Sequence, residues 1–104
     1  MSNITCRALP VTPGDFFTFS DGRQFAAALV FDLTAQAKSR SPQLVRGHEL
    51  TLREICGNDY WLYRLEYAPT EAGECALRLC ADGYVPLIDT GKRNSANHHL
   101  YLVI

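Results

Sequence analysis

The side chains best equipped for chemistry are four cysteines, Cys6, Cys56, Cys75 and Cys80, and three histidines, His48, His98 and His99. Thiolates and imidazoles hold zinc when four of them converge on one point at about 2.0–2.3 Å. The spacing here does not favour that. There is no Cys-x-x-Cys pair. Cys75 and Cys80, like the adjacent His98 and His99, would point to opposite faces of a regular strand. No metal and no cofactor is expected, and half-buried thiols acting as small hydrophobes are the simpler reading. A cysteine nucleophile needs a base within reach and an electropositive setting. Cys56 lies near His48 in sequence, and His48-Glu49 sets a base beside a carboxylate, but nothing supplies their mutual geometry. Gly-x-Ser-x-Gly, His-Glu-x-x-His, a phosphate-binding glycine loop and a dinucleotide fingerprint are absent. No catalytic residue is assigned, and the expected role is non-enzymatic.

Binding chemistry is better represented. Tyr60-Trp61-Leu62-Tyr63-Arg64-Leu65-Glu66-Tyr67 alternates in a way that suits a strand. Trp61, Tyr63, Leu65 and Tyr67 then share the more apolar face and turn inward. Tyr60, Leu62, Arg64 and Glu66 face outward as a candidate protein interface, since Tyr, Trp and Arg anchor interfaces. Between Glu66 and Asp89 the acids are Glu66, Glu71, Glu74, Asp82 and Asp89 against the lone base Arg78, a charged rim for a basic partner. A second candidate is an aromatic-lined pocket between helix and sheet, built from Phe16, Phe19, Trp61, Tyr63 and His98, for a small molecule. The third is nucleic acid, through Lys38, Arg40, Arg46 and the Lys92-Arg93-Asn94 spot, with Tyr60, Tyr63 and Phe17 to stack bases. Ten Lys and Arg against eleven Asp and Glu give a net charge of -1. That leaves no positive field to concentrate phosphates, so nucleic acid is not the expected partner.

These residues need elements to position them. Asp21 with Gln24 three residues later resembles a capping box, followed by Ala26, Leu29, Val30, Leu33 and Ala37 on one helical face and Phe25 beside them. Lys38 and Arg40 suit a helix end, and Ser41-Pro42 stops it. The rival reading makes Asp21-Gly22 a hairpin turn and Phe25–Leu33 a strand. The remainder reads as strands and turns. Ile4–Leu9, Phe16–Phe19, Leu50–Leu52, Tyr60–Tyr67, Cys75–Cys80, Tyr84–Ile88 and His98–Ile104 are the strands. Pro10–Gly14, Gly57–Asp59, Pro69–Gly73, Asp82-Gly83 and Gly91–Asn97 are the turns and loops. Pro86 marks an edge strand, and the two-sided apolar pattern after His99 suits a central one.

The expectation is one α+β domain over residues 1–104, an antiparallel sheet of about five strands with one helix packed on one face. A small SH3-like β-barrel is the alternative should the helix fail. The longest apolar run, Phe25–Leu33, is interrupted by Asp32 and far short of the ~20 residues that span a bilayer, so no membrane is expected. No secretory signal is read at the N-terminus, which implies reduced thiols and a cytoplasmic location. The function that follows is a small protein-binding domain of inhibitor, immunity or adaptor type, of the kind mobile elements carry, meeting another protein or a second copy as a homodimer.

Overall fold

The computed structural model describes residues 6–10 and 14–104 of the chain. The Phe16–Ala26 segment forms a hairpin of β1 (Phe16–Thr18) and β2 (Gln24–Ala26), with Phe17 opposite Phe25. Its turn uses Asp21-Gly22. Gly22 sits at φ +87, and the Asp21 carboxylate accepts the Arg23 backbone N–H at 2.9 Å. Asp21 therefore makes a turn and not a helix N-cap. Helix α1 begins at Ala27 and runs to Arg40, burying Leu29, Val30, Leu33, Thr34 and Ala37. The two readings of this stretch each hold for part of it: the hairpin turn through Ala26, the helix after it. A 3-10 turn over Ser41–Gln43, with Pro42 in it, follows α1 directly.

The second half differs most from expectation. Where a strand is expected at Leu50–Leu52, only the two residues Glu49–Leu50 pair (β3), because Thr51 starts helix α2 (Leu52–Cys56). The Thr51 side chain accepts from the Glu54 N–H while the Glu54 carboxylate accepts from the Thr51 N–H, a complete capping box. Such a cap stabilises by about 1 kcal/mol. Residues 58–64 are helical and end in a π turn over Tyr60–Arg64, closed by Leu65 N–H to the Tyr60 carbonyl at 2.8 Å. The strand expected over Tyr60–Tyr67 does not form.

Nor does the strand over Cys75–Cys80. Pro69–Ala81 is helix α3, with Pro69 at its first turn. Ala72, Cys75, Ala76 and Leu79 are its buried stripe, at helical spacing. Asp82-Gly83 ends this helix and does not turn a hairpin. Gly83 at φ +78 donates to the Cys80 carbonyl, and Tyr84 N–H reaches back to Leu79. That is a Schellman cap, which needs the left-handed conformation glycine tolerates.

Strands β4 (Leu87–Arg93) and β5 (His99–Val103) pair antiparallel across a register shift between Asp89 and Arg93. The sheet order is β3-β5-β4, so β5 is central and β4 an edge. The molecule is α+β with two small antiparallel sheets, of two and three strands among the described residues, and no closed barrel. Residues 4, 5 and 11–13 of the proposed Ile4–Leu9 strand and the turn after it lie outside the described residues, and residues 6–10 take no regular structure.

One core joins the parts. Phe17, Phe19 and Phe25 stack edge-on with centroids 4.9 and 5.7 Å apart, and Tyr84 meets Phe17 at 5.9 Å. Leu29, Val30, Leu33, Ile55, Cys75, Leu79 and Tyr101 continue the cluster toward the three-stranded sheet. Arg78 ties the hairpin to α3, donating to Asp21 at 2.9 Å and to Glu74 at 2.7 Å.

Burial pushes the thiols of Cys56, Cys75 and Cys80 up to about 12 from the ordinary 9.0. A pKa raised on folding contributes stability that is complete below the unfolded value and is lost as pH rises toward the folded one. Unfolding free energy from urea titration should therefore fall steadily from pH 9 to pH 12. At pH 8 a thiol reagent should leave Cys56 and Cys75 unlabelled in the native protein, and rapid labelling of either would contradict this burial.

Candidate functional site

Helix α1 carries Asp32, Gln36 and Arg40 at four-residue intervals, one polar stripe along its length. Each reaches the segment that packs beside it. The Tyr60 hydroxyl donates to Asp32 Oδ2 at 2.6 Å. Gln36 Nε2 donates to the Cys56 carbonyl at 2.7 Å, and Arg40 Nε to the Ile55 carbonyl at 3.1 Å. Those carbonyls belong to the last turn of α2, where no further helical turn satisfies them, and a cation suits that end of a helix. The stripe thus completes α2 and fixes the turn after it.

Tyr60 is the pivot of that turn. It is 2 % exposed, not outward as the strand reading requires. Burial, and then the Asp32 hydrogen bond, hold its phenol well above the ordinary tyrosine range. Arg64 lies over its ring at 5.3 Å and donates through Nη2 to Gln36 Oε1 at 3.2 Å. With Tyr60 inward, the next residues turn out. Leu62 is 56 % and Tyr63 81 % exposed, and Glu66 is exposed nearby. Of the four interface candidates, Leu62, Arg64 and Glu66 are at the surface and Tyr60 is their anchor. Tyr63, expected inward as part of a pocket, points outward instead, because helical winding replaces alternation with a period near 3.6.

The pocket candidates separate. Phe19 is packed into the core, Phe16 is 63 % exposed on the hairpin, and Tyr63 faces outward. Trp61 and His98 both line a groove of about 310 Å³ between the start of α2, the first turns of α3 and β5. Arg53, Gly73, Glu74 and His99 share it. His99 Nδ1 is buried without a hydrogen-bond partner among the described residues, 4.0 Å from Asp89 Oδ1. A second hollow of about 320 Å³ is lined by Gln36, Arg40, Tyr60 and Arg64, on the polar stripe itself.

Neither Cys56 nor Cys75 has the character of a nucleophile. Both are buried, and a thiol held near 12 is protonated at neutral pH. Among the described residues no group of three or more His, Cys, Asp or Glu is placed to hold a metal ion. No helix is long and apolar enough to cross a membrane among the described residues. No family model, curated protein or solved structure matches the chain.

Replacing Tyr60 with Phe removes one hydrogen bond to a carboxylate and leaves Asp32 without it. The expected loss is about 1–3 kcal/mol of unfolding free energy. Tyr60→Phe in an Asp32→Ala background should cost distinctly less than in the wild type, since the two residues share one interaction. Equal costs in both backgrounds would show that the bond contributes nothing.

Proposed function

We propose that the chain is a non-enzymatic protein-binding domain of inhibitor, immunity or adaptor type. Its contact surface is the turn carrying Leu62, Tyr63 and Arg64, with Glu66 at the edge. The observation that carries this reading is the exposure of two large side chains, Leu62 and Tyr63, on a turn anchored by the buried Tyr60 and by the Arg64 contact to Gln36. Tyr and Arg are frequent interface hot spots. A turn already ordered in the unbound chain loses little further entropy when a partner arrives, which favours affinity. π turns also recur at functional positions. The acids of α3, Glu71 and Glu74, lie close by in sequence and favour a partner with a basic rim.

A second reading, small-molecule binding, is favoured by the groove at Trp61 and His98. It concerns different atoms from the protein-binding surface.

The test of the protein-binding reading is the double variant Leu62→Ser, Tyr63→Ala, with Ile88→Ser as a control for an exposed apolar residue elsewhere. Thermal unfolding should be nearly unchanged in both, because the altered side chains lie at the surface. Self-association measured by sedimentation velocity, or capture of a specific partner from the host, should persist in the control. The double variant should weaken it by about thirtyfold, the effect of losing one hot spot. A double variant that associates like the wild type, or a wild type that meets neither itself nor a partner, would end this reading.

A further inference from the structure

We propose that the groove between α2, α3 and β5 is a nucleotide-unit site, with a flat base against Trp61 and a phosphate at the Arg53 guanidinium on its rim. This deepens the small-molecule reading and is independent of the Leu62–Tyr63 surface.

Size comes first. About 310 Å³ is at the lower end of ligand pockets, which run from about 300 to 1,000 Å³, so the groove suits one compact ligand. The wall comes next. Trp61 is only half-buried, and Leu52, Pro69 and Tyr101 make the surroundings apolar. Trp61 packs against the core on one side and lines the groove on the other, and an indole along a groove is a stacking platform for a base.

Gly73 is the most telling residue. It lies inside α3, where glycine is less stable than alanine by roughly 0.8–1 kcal/mol. Its φ is not positive, and a Cβ built on it would meet nothing within 4 Å. Neither backbone conformation nor packing requires glycine there. What the missing methyl leaves is room in the groove, which is what close approach of a ligand requires.

The polar groups fit a phosphate. Arg53 lines the groove and carries a planar guanidinium fork suited to phosphate oxygens, and its Nε is tied to Asn58 Oδ1 at 2.9 Å. His98 and His99 add nitrogen donors or acceptors beside it. Glu74 is the one acid lining the groove, and its carboxylate is engaged by Arg78 at 2.7 Å. The ligand could be a free nucleotide or one unit of a strand.

The test uses the fluorescence of Trp61, the sole tryptophan. Adenosine monophosphate, adenosine, inorganic phosphate and a deoxyadenosine dodecamer are titrated into the full chain. Saturable quenching by adenosine monophosphate is expected, with adenosine and phosphate each about tenfold weaker, as for loss of one charged contact. Arg53→Ala should weaken the nucleotide by a similar factor. Gly73→Ala should raise the unfolding midpoint while lowering nucleotide affinity, a pairing that damage to the fold cannot produce. A dodecamer bound more than tenfold tighter than the monomer assigns the site to a strand, and equal affinity per site assigns it to free nucleotide. No quenching by either at millimolar concentration, equal binding of adenosine and its phosphate, or unchanged affinity in Gly73→Ala would overturn the proposal. Any of these leaves the protein-binding surface untouched, because the Leu62, Tyr63 variant reads that separately.

Discussion

The polar stripe of α1 is the constraint on which the rest of the molecule depends. Asp32, Gln36 and Arg40 stand one turn apart and meet, in order, the Tyr60 hydroxyl, the Cys56 carbonyl and the Ile55 carbonyl. A five-residue helix such as α2 does not stand alone in water, since helix nucleation is costly and its end groups outnumber its internal bonds. Here α2 is closed at its start by Thr51 and Glu54 and at its end by side chains from α1. Gly57, at φ +91, lets the chain leave α2 directly under the Arg40 guanidinium, where a Cβ would approach it to 3.3 Å. The polar groups at this junction are thereby matched, while Leu52, Ile55 and Cys56 carry the apolar side of α2 into the core.

Two surfaces follow from that arrangement. Once Tyr60 is inward, the π turn presents Leu62 and Tyr63 to solvent and sets Trp61 along the groove beside α3. A second clamp, from Arg78 to Asp21 and from Ser20 to Asp82, ties the β1–β2 hairpin to the C-terminal half of α3. The hairpin thus covers one part of α3 and leaves its first turns open at the groove. The cysteines belong to the frame of this arrangement: Cys56 and Cys75 are fully buried among apolar neighbours.

How much of this was legible in the sequence depended on which period dominated each segment. The apolar stripe Leu29, Val30, Leu33, Ala37 and the stop at Pro42 declared α1, and the two-sided pattern of the last residues declared a central strand. Alternation misled elsewhere, because short apolar segments satisfy two periods at once. Cys75, Leu77 and Leu79 alternate, yet Ala72, Cys75, Ala76 and Leu79 also fit a helix. Pro69 before that stripe and Gly83 after it favoured the helix, and so did Thr51-x-x-Glu54 ahead of Ile55. Asp82-Gly83 was read as a hairpin turn and instead caps α3, because a helix end and a hairpin both use a left-handed glycine. The Tyr60–Asp32 bond joins residues 28 apart, so no local pattern contained it, and the inward placement of Tyr60 followed from it. The groove was half legible: Trp61 and His98 were named together, while Arg53 and Gly73 come from helices that alternation had hidden.

Amide hydrogen exchange at Leu65 tests the central claim most directly. Its N–H closes the π turn onto the Tyr60 carbonyl at 2.8 Å, in a segment that would otherwise exchange as a surface loop. If the α1 stripe holds this turn, Leu65 should be protected nearly as strongly as the buried centre of α1 around Leu33. It should also lose that protection selectively in Tyr60→Phe. Exchange of Leu65 at the rate of an open loop in the wild type would contradict the account.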